Sequence, residues 1–136
     1  MTDNRAVVDG IGGVFIYAND AKALADWYVA HLGIPLGTYE EGKNYGLEFK
    51  YTNLENPALT DATVFSIQSA PKPLSPDRNQ IRVNYRVRDL TGLLRQLRAS
   101  GIEIEKEEDY AEYGRFAWIH DPEGNKIELW QPPAGQ

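Results

Sequence analysis

Residues Tyr113–Pro132, YGRFAWIHDPEGNKIELWQP, read as a β-hairpin. Apolar residues alternate up to His120, the run Asp121-Pro122-Glu123-Gly124-Asn125 carries turn chemistry, and the alternation resumes after Lys126. Pairing His120 with Lys126 across the turn sets Trp118 opposite Glu128 and Phe116 opposite Trp130. Side chains alternate along a strand, so these four share one face, and Ala117, Ile119, Ile127 and Leu129 share the other. One face is a plain aliphatic core. The other mixes three aromatic rings with ionisable groups.

The chain upstream of the hairpin is organised as a repeat. Ile81–Val87 (IRVNYRV) predicts a strand, Asp89 caps a helix, Leu90, Leu93, Leu94 and Leu97 form its apolar stripe, and Gly101 stops it. Ile102–Glu107 adds a strand before the hairpin. The first half has the same order. Ile11–Ala18 (IGGVFIYA) predicts a strand, Asp20 a cap, Leu24, Trp27, Tyr28 and Leu32 a stripe, and Gly33 a stop. Strands are then expected over Leu36–Glu40, Tyr45–Tyr51 and Ala62–Ser69. Each half is βαβββ. We therefore expect an α+β chain with a first module over 11–69, a proline-punctuated linker over 70–79 and a second module over 80–132, together one structural domain behind a loose N-terminal arm. A strand, a crossover helix and a return to the same sheet leave each sheet with one helix-covered and one free face.

Composition narrows the function classes. A net charge of -6 argues against nucleic acid as a partner. No cysteine is present, which removes disulfides, thiolate metal sites and a cysteine nucleophile, and fits a reducing compartment. The opening MTDNRAVVDG is too polar for a signal peptide and no apolar run is long enough to span a bilayer, so a cytoplasmic protein without membrane partners is expected. No phosphate loop, nucleophile elbow or basic stripe occurs. The acidic run Glu103–Asp109 reads as a solvated strand edge. Trp27 and Tyr28 lie on the helix stripe and read as core, and His31 suits the C-terminal end of its helix dipole. His120 reads as an exposed turn residue, with a rim proton carrier as the alternative.

The duplicated order, the helix openers AND…WY..HLGI and VRDL..LL..LRASGI, and the ending F.WI.DPEGNKIELWQP together resemble the glyoxalase / bleomycin-resistance / extradiol dioxygenase superfamily, the vicinal oxygen chelate proteins. The resemblance runs from Ile11 to Pro132 and is most specific in the ending. It implies two βαβββ modules whose curved mixed sheets enclose a cleft. In the enzymes of that family the cleft holds a divalent metal, bound by His or Gln from the first strand and Glu from the last strand of each module. The family's first-strand ligand lies seven residues before the helix-opening Asp, which places it on Gly13 and Arg82 here; the last-strand positions fall near Ser66 and on Glu128. A lone carboxylate does not hold a transition metal, so we expect neither a metal site nor a cofactor.

Strand alternation marks the free face independently. It carries Phe15, Tyr17, Ser66, Gln68, Arg82, Asn84, Arg86, Phe116, Trp118, Glu128 and Trp130, while Val14, Ile16, Val83, Tyr85, Val87, Ile119, Ile127 and Leu129 take the opposite parity. Glu128 and Arg82 are the candidate functional pair: either the guanidinium holds a ligand's carboxylate or enolate where relatives hold a cation, or the two form a structural ion pair. The aromatic residues either line a pocket for a flat or apolar small molecule or pack modules or subunits together. The leading expectation is a homodimeric, metal-free protein that binds an aromatic or carboxylate-bearing small molecule, as the resemblance implies for the bleomycin-resistance branch. Two alternatives stand beside it: a glyoxalase-type lyase or isomerase with Glu128 as base, and a non-catalytic dimerising interaction module.

Overall fold

Both helices begin where a short carboxylate satisfies an orphan N–H. Asp20 accepts from Ala23 N at 3.0 Å to open α1 (Ala21–Leu32), and Asp89 accepts from Gly92 N at 2.9 Å to open α2 (Leu90–Ala99). Gly33 ends α1 in the left-handed conformation, at φ 67°, and donates to Tyr28 O. The structure, a computed structural model, describes residues 11–39, 41–75, 77 and 81–135. The expected N-terminal arm, the end of the second predicted strand at Glu40 and part of the linker lie outside those residues.

Around the helices stand two four-stranded mixed sheets. The first contains β1 (Gly13–Ala18), β2 (Gly37–Tyr39), β3 (Asn44–Thr52) and β4 (Thr60–Ser69) in the order β1-β4-β3-β2, with β1 and β4 parallel. The second repeats it with β5 (Val83–Arg86), β6 (Lys106–Asp109), β7 (Arg115–His120) and β8 (Lys126–Gln131) in the order β5-β8-β7-β6. The βαβββ order therefore occurs twice. The hairpin register matches the sequence expectation: His120 opposite Lys126, Trp118 opposite Glu128, Phe116 opposite Trp130.

Element ends differ from expectation at every strand of the first sheet and at β5 and β6 of the second. β3 is longer than expected because its ladder with β4 runs from Asn44–Gln68 to Thr52–Thr60. β5 is shorter, an edge strand whose one partner among the described residues is β8. β6 starts at Lys106 and not at Ile102, whose N–H is still occupied by Leu97 O of α2, while Ile102 and Ile104 pack against the core. A 3-10 turn at Ala111–Tyr113, absent from the sequence reading, precedes Gly114, which sits at φ 101°. A Cβ at Gly114 would run into the carbonyl oxygen of Gln131, so this entry into the hairpin requires glycine.

The two sheets share a single core. Leu24, Phe65 and Ile67 from the first module and Leu94, Leu97, Ala117, Ile119, Ile127 and Leu129 from the second belong to one buried cluster. The Tyr28 ring lies 5.9 Å from Phe65 and 6.1 Å from Tyr85, so it bridges the modules. The Tyr28 hydroxyl donates to buried Asp121 at 2.8 Å, and Asp121 also accepts from Glu123 N, Asn125 N and Asn125 Nδ2. Burial raises the Tyr28 phenol well above its ordinary pKa, so it stays a donor. Glu123 of the same turn accepts from Asn19 N at 2.8 Å and Asp20 N at 2.9 Å, tying the second module to the start of α1. The modules thus meet through their helix-covered sides.

Candidate functional site

On the second sheet the alternation expected from sequence brings one group of residues together around Glu128. Its Oε1 accepts from Trp118 Nε1 at 2.8 Å and lies 3.5 Å from Arg82 Nε; its Oε2 accepts from Asn84 Nδ2 at 2.6 Å. The Asn84 contact follows from register, since β5 and β8 pair Asn84 with Glu128. Glu128 is largely enclosed, with its side chain 15% exposed, whereas Arg82 is 50% exposed. The expected pair therefore forms, but as the open end of a four-residue network. An ion pair with one partner this exposed is screened by water and contributes less than about 1 kcal/mol to stability.

Three rings extend that face. Phe116 stands 6.0 Å from Trp118 with planes 12° apart and 6.3 Å from Trp130 with planes 23° apart. Both indole N–H groups are used internally, Trp118 on Glu128 and Trp130 on Tyr113 O at 2.8 Å, and this fixes the ring planes. Arg86 lies over Trp130 at 6.0 Å and Lys106 over Trp118 at 5.7 Å, both within reach of the ring quadrupole.

The first sheet presents a different face. Phe15 is paired with Ser66 and Tyr17 with Gln68, and both rings are about half exposed, at 52% and 50%. Ser66 is completely buried because Tyr39 reaches across Gly46 to it; the two hydroxyls share a hydrogen bond, and Gln68 Nε2 donates to Tyr39 Oη at 3.1 Å. The polar contacts of Ser66 and Gln68 stay within the first sheet, and those of Arg82, Asn84 and Glu128 within the second. One chain therefore assembles the expected site residues as two separate half-faces.

Three participants escape a reading from sequence. Tyr39 falls in an expected strand, but alternation assigns it no partner; glycine at position 46, which leaves room for its ring, is the only local signal. Lys106 lies inside an acidic run that reads as solvent-facing, but its register partner is Trp118. Tyr110, 5.5 Å from Phe116, follows that same run. His120 is half exposed, with Nδ1 3.4 Å from Glu105, and His31 packs on Trp27 at 5.4 Å in the last turn of α1.

The four positions matching the family's metal ligands do not fit a divalent cation. A Cβ added at Gly13 would lie 2.7 Å from the Phe15 ring, so an aromatic edge stands where a ligand side chain would project. Ser66 is bonded to Tyr39, Arg82 is itself a cation, and three donors crowd Glu128. Among the described residues no group of three His, Cys, Asp or Glu side chains comes together.

Duplicated βαβββ modules with an aromatic, charge-bearing free face define a class, and sequence comparison places the chain within it. The family model for the glyoxalase/bleomycin resistance protein/dioxygenase superfamily matches residues 10–129, and the chain belongs to that family. A glyoxalase/bleomycin resistance protein/dioxygenase from Nocardioides superposes with a TM-score of 0.67 at 16% identity, covering 98% of this chain and 89% of that one. TnmS3, an antibiotic binding protein from a Streptomyces species, superposes at 0.66 and 21% identity, over 95% of this chain and 100% of its own. A virulence protein from Salmonella typhimurium gives 0.65 and 19%, over 94% and 100%. At these identities the likeness is one of fold. No curated protein matches the sequence. Among the described residues no helix is long and apolar enough to cross a membrane.

Proposed function

We propose that this protein binds a small organic ligand, aromatic or carboxylate-bearing, on the free face of its second sheet without a metal ion. The observation that carries this reading is the state of Glu128. Its oxygens are already engaged by Trp118, Asn84 and Arg82, which suits a fixed anchor for the surrounding side chains better than a metal ligand or a base awaiting a proton. The open parts of the face are the partly exposed Phe116 and Trp130 rings and the Arg82 and Arg86 cations, the complement of a flat or acidic molecule.

The ligand cleft closes between two copies of the chain. Within one chain the two half-faces are separate, Phe15 and Tyr17 leave large apolar surface in water, and among the described residues β1 and β5 are the outer strands of their sheets. A homodimer that sets the first sheet of one copy against the second sheet of the other buries those rings and supplies the missing wall. Relatives named for antibiotic binding and bleomycin resistance are consistent with such a role.

Metal analysis of protein purified without chelator, combined with tryptophan-fluorescence titration against a panel of small organic molecules, tests this reading. The expected result is a substoichiometric metal content with saturable quenching by some of the panel. A stoichiometric divalent ion would overturn the metal-free site, and no response across the panel would favour a bare interaction surface. Arg82→Ala should remove binding while leaving the melting temperature nearly unchanged; the reverse pattern would make the Arg82–Glu128 contact structural.

A further inference from the structure

We propose a second binding site, on the helix side of the sheets where the modules meet, for a straight-chain aliphatic carboxylate of medium length. It goes beyond the free-face reading, since Glu128, Arg82 and Trp118 do not line it. A cavity of about 520 Å³ opens there, within the size range of small-molecule sites. Its origin lies in the lengths of the elements. The 12 residues of α1 reach about 18 Å and the 10 residues of β4 about 33 Å, so the first sheet outruns the helix that covers it. Exposure along the helix-side face of β3 records where the cover ends: Tyr45 is 9% exposed, Phe49 36% and Tyr51 49%. Val83 and Val87 of β5 wall the gap from the second module, and the Phe65 and Tyr85 rings, edge-on at 5.7 Å, join the two walls.

The lining chemistry names the ligand class. Val14, Leu32, Ile34 and Leu93 add aliphatic surface, which rewards burial without fixing direction. Arg86 is the one charged residue among the described residues that line the cavity, and no carboxylate stands in the lining to neutralise it. Its guanidinium rests over the Trp130 ring at 6.0 Å. The carbonyl end of α1 at Leu32 and Gly33 disfavours an anion beside it, which leaves the Arg86 side for the acid. There a planar fork meets two carboxylate oxygens. Along β5 the lining runs from Val83 to Val87, about 13 Å, a span that an extended alkyl chain follows and a compact body does not. Apolar burial then reads chain length and Arg86 reads charge.

Calorimetric titration of the full-length protein with hexanoate, octanoate, decanoate and the neutral 1-decanol separates these two parts. Affinity should rise by up to about fourfold per added methylene from hexanoate to decanoate, the gain expected as each CH2 leaves water. Arg86→Gln should weaken decanoate by about tenfold and leave 1-decanol unchanged. Val83→Phe, which fills the cavity from an outer strand, should weaken both by about tenfold. Circular dichroism and melting curves unchanged by either substitution show that the fold is intact. Arg82→Ala should leave decanoate binding as it is, because Arg82 lies outside the lining. Affinity independent of chain length, insensitivity to Val83→Phe, or an equal loss with Arg82→Ala and Arg86→Gln would overturn the second site while the free-face reading stands. No saturable heat with any of the four probes, including the case in which a second copy of the chain covers the cavity, would overturn it too. Decanoate binding in a protein whose fluorescence no panel molecule quenches would instead leave this site standing alone.

Discussion

In the first sheet β4 turns Phe65 and Ile67 to the core and Ser66 and Gln68 away from it; in the second, β8 turns Ile127 and Leu129 to the core and Glu128 and Trp130 away. The inward pairs are interchangeable in kind, but the outward ones are not. Ser66 is sealed under Tyr39, while Glu128 and Trp130 stand among stacked rings bordered by cations. Shared packing constrains the buried side of a repeat because a register slip would expose every core residue at once. The outer side carries no such constraint, and there the two modules have diverged into a small polar wall and a broad aromatic one.

The sharpest way to break this comparison is to cut into both cores. Leu24→Ala and Leu94→Ala, each removing a side chain no more than 2% exposed, should both cost about 2–5 kcal/mol and leave one unfolding transition. Denaturant melts that separate into two steps would mean that the halves do not share a core. Next in size is Asp121→Ala, which strands the Tyr28 hydroxyl and two backbone N–H groups of the turn; a loss of about 1–3 kcal/mol is expected in the same assay.

The Tyr28 phenol gives a pH signature of the bridge between the modules. Burial holds its pKa above the ordinary 10.0, so below about pH 10 both folded and unfolded states carry the proton and stability is unaffected. Above that, the unfolded chain ionises while the folded one does not, and stability falls as pH rises. Tyr85, also raised by burial, adds in the same direction. Tyr28→Phe should flatten the alkaline slope in a series of melts, and an unchanged slope would place the titration elsewhere. The smallest expected effect belongs to the first wall: Gly13→Ala obliges the half-exposed Phe15 ring to swing aside, and the melting free energy should move by only about 0.5 kcal/mol. A loss several times larger would mean that Phe15 is anchored.

Much of this is legible from the sequence because burial imposes a period. The stripe of α2, the caps at Asp20 and Asp89 and the pairing of Trp118 with Glu128 all follow from local patterns, and they locate the second half-face residue by residue. What escapes depends on distant register. Lys106 meets Trp118 only because β6 begins four residues later than Ile102, a shift set by the helix exit at Leu97. Tyr39 reaches Ser66 over a glycine seven residues away in sequence. That one chain separates the two half-faces cannot be read from alternation, which assigns sides within a sheet but not the angle between sheets.

Asn19 stands where three parts of the chain converge. Its backbone N–H binds Glu123 of the hairpin turn, while its side-chain oxygen accepts from Leu74 N in the linker at 2.9 Å. A peptide bond severed beyond Leu74 would therefore leave both fragments holding complementary surfaces: a helix start and a tyrosine on one, a carboxylate-rich turn on the other. Produced as two polypeptides, the halves should find each other and rebuild the whole. The molecule has in this corner the makings of a split reporter, in which reassociation restores the shared core and the tryptophan signal.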